Sequence, residues 1–287
     1  MTHATDELPQ VTYSPESALA HPGKLVGEIF TDLYRCRELI WILFLRDLKA
    51  QFRQSILGYV WLFLPPAMTT AVWLFLNSQK VIEISDSGMP YPIFVILGSV
   101  IWQTFVKLVQ SPLQAVNAGK PVFMKLKVPP EAFIAAGTAR ATFECLIYVL
   151  TIIPVLLVFK TVPPWTVVLL PVVLFSLFTL GTALGLLLVP LGSLYSDVQQ
   201  AVPTLMGFLM YMAPVVYPPP TSGLASYVIA WNPMTPILMS ARELTVTGSF
   251  ENFMQMLLLI PISLIVIFCC LVGIRVVMPH LVARMGM

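Results

Sequence analysis

The chain has 287 residues, 57% of them hydrophobic and only 10% charged, with a formal net charge of +2. A soluble domain of this length carries about 25% charged residues, so a water-covered globule is excluded and an integral membrane protein remains. In such a protein the position of each charge matters more than the sum.

Residues 1–23 are polar, contain Pro9, Pro15 and Pro22, and show no basic stretch followed by an apolar one, so they read as a polar leader rather than a cleaved signal. Residues 24–56 form a cytoplasmic amphipathic segment. Leu45, Leu48, Phe52 and Ile56 recur at spacings of three and four, while Arg46, Asp47, Lys49 and Arg53 project elsewhere. A helix of this kind lies in the membrane interface with its basic side chains reaching toward phosphates. Gly58 offers a point where the chain turns into the membrane.

An apolar run of about 20 residues crosses the hydrocarbon core, and six such runs follow, at roughly 57–77, 91–110, 132–159, 165–192, 200–217 and 253–278. Prolines within them are tolerated where neighbouring groups satisfy the freed carbonyls. Residues 111–131 form a basic loop, and KTVPP at 160–164 a tight turn. In the 218–252 segment LASYVIAW and MTPILMSAREL are too short to span and too apolar for a free loop, so they read as re-entrant helices. The loops assigned to one side carry eleven lysines and arginines, and those on the other only Lys80, Lys160 and Arg242, with Lys107 and Arg140 left uncounted near or within spans. Both termini are therefore expected in the cytoplasm. The fold class is an all-α integral membrane protein. It has six transmembrane helices in 57–287, an N-terminal amphipathic interfacial helix, and short re-entrant helices between spans five and six.

Chemistry-bearing residues are few. Cys36, Cys145, Cys269 and Cys270 lack CxxC spacing and read as small buried hydrophobes, so neither a metal site nor a disulfide framework is expected. Neither Gly23-Lys24 nor Gly119-Lys120 has the upstream glycine or following hydroxyl of a GxxxxGK[ST] loop. ATP, if used, is hydrolysed by another subunit, and this chain reads as non-enzymatic with no cofactor of its own. Arg140 and Glu144, at i and i+4 in span three, read as an ion pair that neutralises itself on one helix face. Asp197 reads as a loop cap, and Glu83 and Asp86 as solvated. A path across the membrane that holds its cargo weakly would be lined by aromatic faces. Tyr59, Trp61, Trp73 and Phe75 on span one, Phe94, Trp102 and Phe105 on span two, and Phe208, Tyr211 and Tyr217 on span five are the candidates, although interfacial anchoring explains such residues equally well.

FLRDLKAQFRQSILGYVWLFLPP resembles the lead-in to the first span of the permeases of type-2 ABC exporters that move polysaccharides, the subunits for O-antigen, capsule and teichoic acid. Arg46, Asp47, Lys49, Phe52, Arg53, Ser55, Leu57, Gly58 and Trp61 carry that resemblance. It continues in NAGKPVFMKLKVPP at 117–130, in LYSDVQQ, where Ser196 stands where the family more often has arginine, and in WNPMTPILMSAREL, with Asn232-Pro233 and Arg242. The resemblance implies a half-channel. Two copies of this chain and two of a separate nucleotide-binding subunit, which holds ATP and Mg2+, form the exporter. The amphipathic segment becomes a gate, and the 111–131 loop docks on the ATPase through Asn117, Lys120, Phe123, Lys125 and Lys127, with Asp197 as a further contact.

Arg46, Lys49 and Arg53 are plausible contacts for the phosphates of the polyprenyl-pyrophosphate-linked glycan that the family implies, because a basic cluster attracts anionic headgroups. No nucleic-acid partner is expected, and the location is the bacterial inner membrane. O-antigen leads, with capsule and teichoic acid as alternatives in the same family. An autonomous proton-coupled carrier would place several ionisable residues at mid-membrane with repeat symmetry, which this chain does not offer. A membrane enzyme would need an acid–base or metal constellation, and His3, His21 and His280 are scattered in the tails.

Overall fold

Hydropathy dictates the architecture, and one helix organises it. The computed structural model describes residues 22–285 except 54, 59, 80–88, 124–127 and 221. Expectations on Tyr59, Lys80, Glu83, Asp86, Lys125, Lys127 and most of the polar leader therefore lie outside the described residues. Every described regular element is helical. Two N-terminal helices, α1 (Pro22–Arg35) and α2 (Arg37–Phe52), precede α3 (Val60–Ser78), α4 (Tyr91–Phe123), α5 (Pro130–Leu150) and α6 (Ile152–Val158). A 3-10 turn at Trp165–Leu169 leads into α7 (Leu170–Leu194) and then α8 (Ser196–Leu209), α9 (Leu224–Trp231), α10 (Met234–Arg242) and α11 (Phe253–Met285).

Among the described residues five helical segments are long and apolar enough to cross a membrane: Val60–Ser78, Tyr91–Val122, Pro130–Val158, Trp165–Leu194 and Phe253–Val277. The run expected at 200–217 behaves differently. Its helix α8 has 14 residues, continues as a 3-10 turn at Met210–Met212, and opens into extended backbone at Ala213. Pro203 and the polar Gln199, Gln200 and Thr204 dilute its hydropathy, and the helix ends at Leu209 ahead of the break at Ala213, so it falls below the length of a continuous apolar helix.

Helix α4 packs against α3, α5 and α7, and α7 packs in turn against α11. Lipid tails are as apolar as leucine, so such packing rests on close fit rather than on the hydrophobic effect. The fit is visible where α7 crosses α4. A Cβ at Gly181 would lie 2.6 Å from Leu108 Cβ, and one at Gly185 would lie 2.5 Å from the Val109 carbonyl. These two glycines form a GxxxG pair that brings the backbones together. Helix α3 buries only Leu62, Pro66 and Thr70, a stripe of spacing four, and leaves Trp61, Phe63, Met68 and Phe75 exposed.

Two expectations are corrected here. The basic loop at 111–131 is helical as far as Phe123, because α4 runs through Gly119-Lys120-Pro121. The proline falls in the last turn, where the loss of one backbone bond ends the helix two residues later rather than preventing it. The amphipathic stripe also stops short. Helix α2 ends at Phe52, and Ile56 lies beyond it, fully exposed, in a turn where Ser55 Oγ accepts from Gly58 N at 2.9 Å. Gly58 takes φ +49° there, a left-handed conformation suited to glycine. Helix α2 instead buries Leu43, flanked by Leu39 and Ile40, against Phe133 and Ala136 of α5.

Arg275 of α11 ties α1 to the bundle. It contacts Asp32 of α1 at 2.6 Å, Glu28 at 3.4 Å and the buried Glu131 of α5 at 3.9 Å. Counted in sequence as one more basic tail residue, it instead joins three elements at one end of the bundle.

Candidate functional site

Two basic residues of α2 and the arginine that follows its last residue form a ridge. Arg46, Lys49 and Arg53 follow one another at spacings of three and four, all exposed, with Arg46 paired to Asp47 at 2.8 Å. Beside the ridge lie two adjoining grooves that share Ala50 and Gln51. One, of about 410 Å3, lies between α2, α4 and α5 and is lined by Asp47, Ser111, Gln114, Gly137 and Arg140. The other, of about 470 Å3, is lined by Arg53 and Ser55. A flexible anionic headgroup approaching α2 would thus meet three cations on the surface and a fourth, Arg140, in the groove wall.

Arg140 is not the self-contained partner of Glu144 that the sequence implies. The buried Glu144 carboxylate receives Lys107 of α4 at 3.0 Å and Arg140 at 3.7 Å, and Arg140 Nη2 also donates to Gln114 Oε1 at 3.4 Å. The ion pair is therefore a three-membered cluster bridging α4 and α5, with one positive charge in excess. Lys107 escaped the sequence reading because it lies one helix away from the carboxylate, and its signal was only its position inside an apolar run.

Asn117 and Lys120, expected on a loop, project from the last turns of α4 onto the end of α7. Asn117 Nδ2 donates to Gly192 O at 3.4 Å and Lys120 Nζ to Ser193 O at 2.9 Å. The last carbonyls of a helix lack intrahelical donors and carry its negative dipole end, so an ammonium there is favoured electrostatically. Asp197, exposed in the first turn of α8, follows within four residues of Ser193. The structure therefore gathers Asn117, Lys120 and Asp197 around the α7–α8 turn. Phe123 closes α4, and its side chain lies outside the description.

The aromatic candidates separate into two groups. Trp61, Phe75, Phe208 and Tyr211 are exposed, while Trp73 and Tyr217 are half-buried. Trp102 is a correction. It is 3% exposed, packed in the α4–α7 core with its ring 5.5 Å from that of Phe105, and it lines no open face of this chain. Phe105 is buried with it, and Phe94 is 2% exposed. Their hydropathy made them fit a conduit and a core equally, and the helix face decided for the core.

Phe94 has a different role, which involves Arg242. Counted as an exposed loop cation, Arg242 is 1% exposed. Its Nη1 donates to Pro214 O at 2.7 Å, its Nη2 donates to Val215 O at 2.6 Å and to Phe94 O at 3.3 Å, and the guanidinium carbon lies 3.5 Å from the Phe94 ring centroid. An unpaired buried charge costs several kcal/mol, on the order of the penalty for breaking a buried ion pair. Here three carbonyls and an aromatic face offset that cost. The neighbouring carboxylate, Glu243, instead accepts from Asn252 N at 3.1 Å.

The site thus consists of a basic ridge, a charged cluster bridging α4 and α5, and a buried arginine bound to a non-helical turn. Comparison with known proteins identifies the family. Residues 38–246 match the family described as ABC-2 type transporter. The O-antigen export system permease protein RfbA of Myxococcus xanthus is 26% identical over 245 residues, covering 83% of this chain and 91% of that protein. The polysialic acid transport protein KpsM of Escherichia coli is 25% identical over 232 residues, covering 79% and 88%. The O-antigen export system permease protein RfbA of Klebsiella pneumoniae is 22% identical over 221 residues, covering 75% and 82%. The match takes in α2, every helix from α3 to α10 and both grooves, and on that extent the chain belongs to the ABC-2 type transporter family.

Proposed function

We propose that the chain is the permease subunit of an ATP-driven exporter that moves a lipid-linked polysaccharide, O-antigen first, from the cytoplasm across the bacterial inner membrane. The observation that carries this reading is the family match over residues 38–246, together with an O-antigen export permease similar over 91% of its own length. ATP is hydrolysed in a separate nucleotide-binding subunit present in two copies, and two copies of this chain form the conduit. Both termini lie in the cytoplasm. The remaining span, fifth in chain order, is the compound segment 196–216. Fourteen α-helical and three 3-10 residues reach roughly 27 Å at the usual rises, most of a hydrocarbon core of about 30 Å, and the non-helical residues 213–216 complete the segment.

In this reading α2 lies in the cytoplasmic interface, and Arg46, Lys49 and Arg53 hold the phosphates of a polyprenyl-pyrophosphate carrier before it enters. The exposed aromatic residues of α3 and α8, with Tyr217, give the sugar chain surfaces on which to slide. The α7–α8 turn, with Asn117, Lys120 and Asp197, faces the ATPase.

Purification of the chain from its native membrane in mild detergent tests the assembly, with a stoichiometric P-loop ATPase as the expected companion. Replacing Arg46, Lys49 and Arg53 together by Gln is expected to abolish export and leave that complex intact, and unchanged export would sink the phosphate role. Similarity to polysialic acid transport proteins favours a capsular polysaccharide as the second substrate, with teichoic acid in the same class, and the glycan lost from the cell surface on deletion decides between them. Absence of any ATPase would favour an autonomous proton-coupled carrier.

A further inference from the structure

Beyond α8 the chain leaves its helical path, and side chains from other elements hold the break. Ala213, Val215 and Val216 are fully buried although their backbone is non-helical. Irregular backbone at membrane depth persists only where protein satisfies its polar groups. Locally the segment makes one backbone bond, Val215 N to Ala213 O at 2.7 Å. The remaining bonds to its carbonyls come from side chains. Asn232 Nδ2 donates to Met212 O at 3.1 Å, Arg242 serves Pro214 O and Val215 O, and the Tyr91 hydroxyl donates to Val216 O at 3.1 Å. Tyr217 Oη, from the far side of the break, donates to Tyr211 O at 2.7 Å.

Arg242 is the centre of this arrangement. A planar guanidinium presents two parallel donors, which an ammonium does not, and here the two meet consecutive carbonyls. Space for the fork is provided by α4: a Cβ at Gly98 would overlap the Val215 carbonyl and lie 2.5 Å from Arg242 Nη2. Glycine 98 and Phe94, one turn apart on α4, are thus shaped around the guanidinium and the break together.

We propose that Arg242 is a positioning residue for export. It acts through the 213–217 break to fix Tyr211 and Tyr217 at the outer end of span five, making that end a gate whose central pin is the Arg242 side chain. The inference rests on the reading of the chain as a glycan exporter, since only then do the two tyrosines have a passing substrate. Freeing the segment disrupts side-chain bonds without unwinding α8, so the pin sets the gate's position independently of the helix that carries it.

The test combines amide hydrogen exchange on the detergent-purified chain with surface glycan export in cells that carry the variant. For Arg242→Met the amides of 211–217 are expected to exchange at least tenfold faster, with α4 and α7 unchanged. Export is expected to fall at least tenfold at equal amounts of assembled complex. Arg242→Lys keeps the charge but not the fork, and is expected to behave as Arg242→Met does. Unchanged exchange at 211–217, unchanged export, or full rescue by lysine overturns the proposal. Where Arg242→Met fails to fold, Tyr91→Phe removes only the donor to Val216 O, and it is expected to speed exchange at 216–217 alone and to reduce export partially; no change in either overturns the pin. If the wild-type chain supports no glycan export, the reading of function fails, while the exchange measurement still tests the pin.

Discussion

Replacing Lys107 and Arg140 by methionine, singly and together, measures what holds Glu144 inside the bundle. The carboxylate is 2% exposed, and its two cations stand at 3.0 and 3.7 Å, with side chains 40% and 27% exposed. Coulomb energy varies inversely with distance, so at equal screening Lys107 would be favoured by a factor of about 1.2. Its greater exposure works the other way. Neither partner dominates, and each single variant leaves the carboxylate one cation. Each is therefore expected to cost about 1–2 kcal/mol, below the 3–5 kcal/mol typical of stranding a buried charge. The double variant strands it and is expected to reach that range, exceeding the sum of the singles by about 1 kcal/mol or more. Thermal unfolding midpoints in one detergent, compared at a fixed scan rate because such unfolding is often irreversible, give the ranking. Additive losses, or a loss with Arg140→Met alone as large as that of the double, would refute the cluster and restore the simple i, i+4 pair.

Three further outcomes are expected. Gly185→Ala drives a methyl into the Val109 carbonyl and is expected to lower the unfolding midpoint by an amount equivalent to 2 kcal/mol or more, in the range of overpacking; Gly207→Ala on α8, with nothing within 4 Å, is expected to be neutral or to stabilise by about 1 kcal/mol. Gly58→Ala meets no atom either, so its cost, about 1 kcal/mol, comes from the positive φ alone, and Gly58→Asn is expected to recover part of it because asparagine tolerates that region; equal midpoints for the two would place the cost elsewhere. Lys120→Met removes the ammonium from the α7 terminus and is expected to cost about 1 kcal/mol of stability. Unchanged stability with weakened ATPase capture would assign Lys120 to the partner instead.

Hydropathy located five membrane-crossing segments to within a few residues at most ends, because an uninterrupted apolar run of bilayer length has few other uses. It was weakest where length and polarity conflict. Helix α8 ends at Leu209, ahead of the break at Ala213, although the apolar run continues to 217, and Gly119-Lys120-Pro121 resembles a loop although α4 continues through it. The exposed basic ridge on α2 was legible because its residues sit on one helical face. The partners of buried charges were not, since Lys107 and Glu144, or Arg242 and the carbonyls of Pro214 and Val215, meet only after the helices are packed. Gly181 and Gly185 stand at GxxxG spacing, but hydropathy does not register two backbones approaching, and only the packed helices bring the pair to notice.

Helix α4 holds the 213–217 break through Tyr91, Phe94 and Gly98 and caps α7 through Asn117 and Lys120. From Phe94 to Lys120 is about 39 Å at 1.5 Å per residue, and each residue turns the helix by about 100°. One inserted residue anywhere between them would swing Lys120 away from Ser193 while leaving Phe94 beneath the guanidinium. Four inserted residues would restore the direction but displace the end by about 6 Å. The stretch from 94 to 120 is thus a measured length, in which the interval between the two ends matters as much as the residues that stand at them.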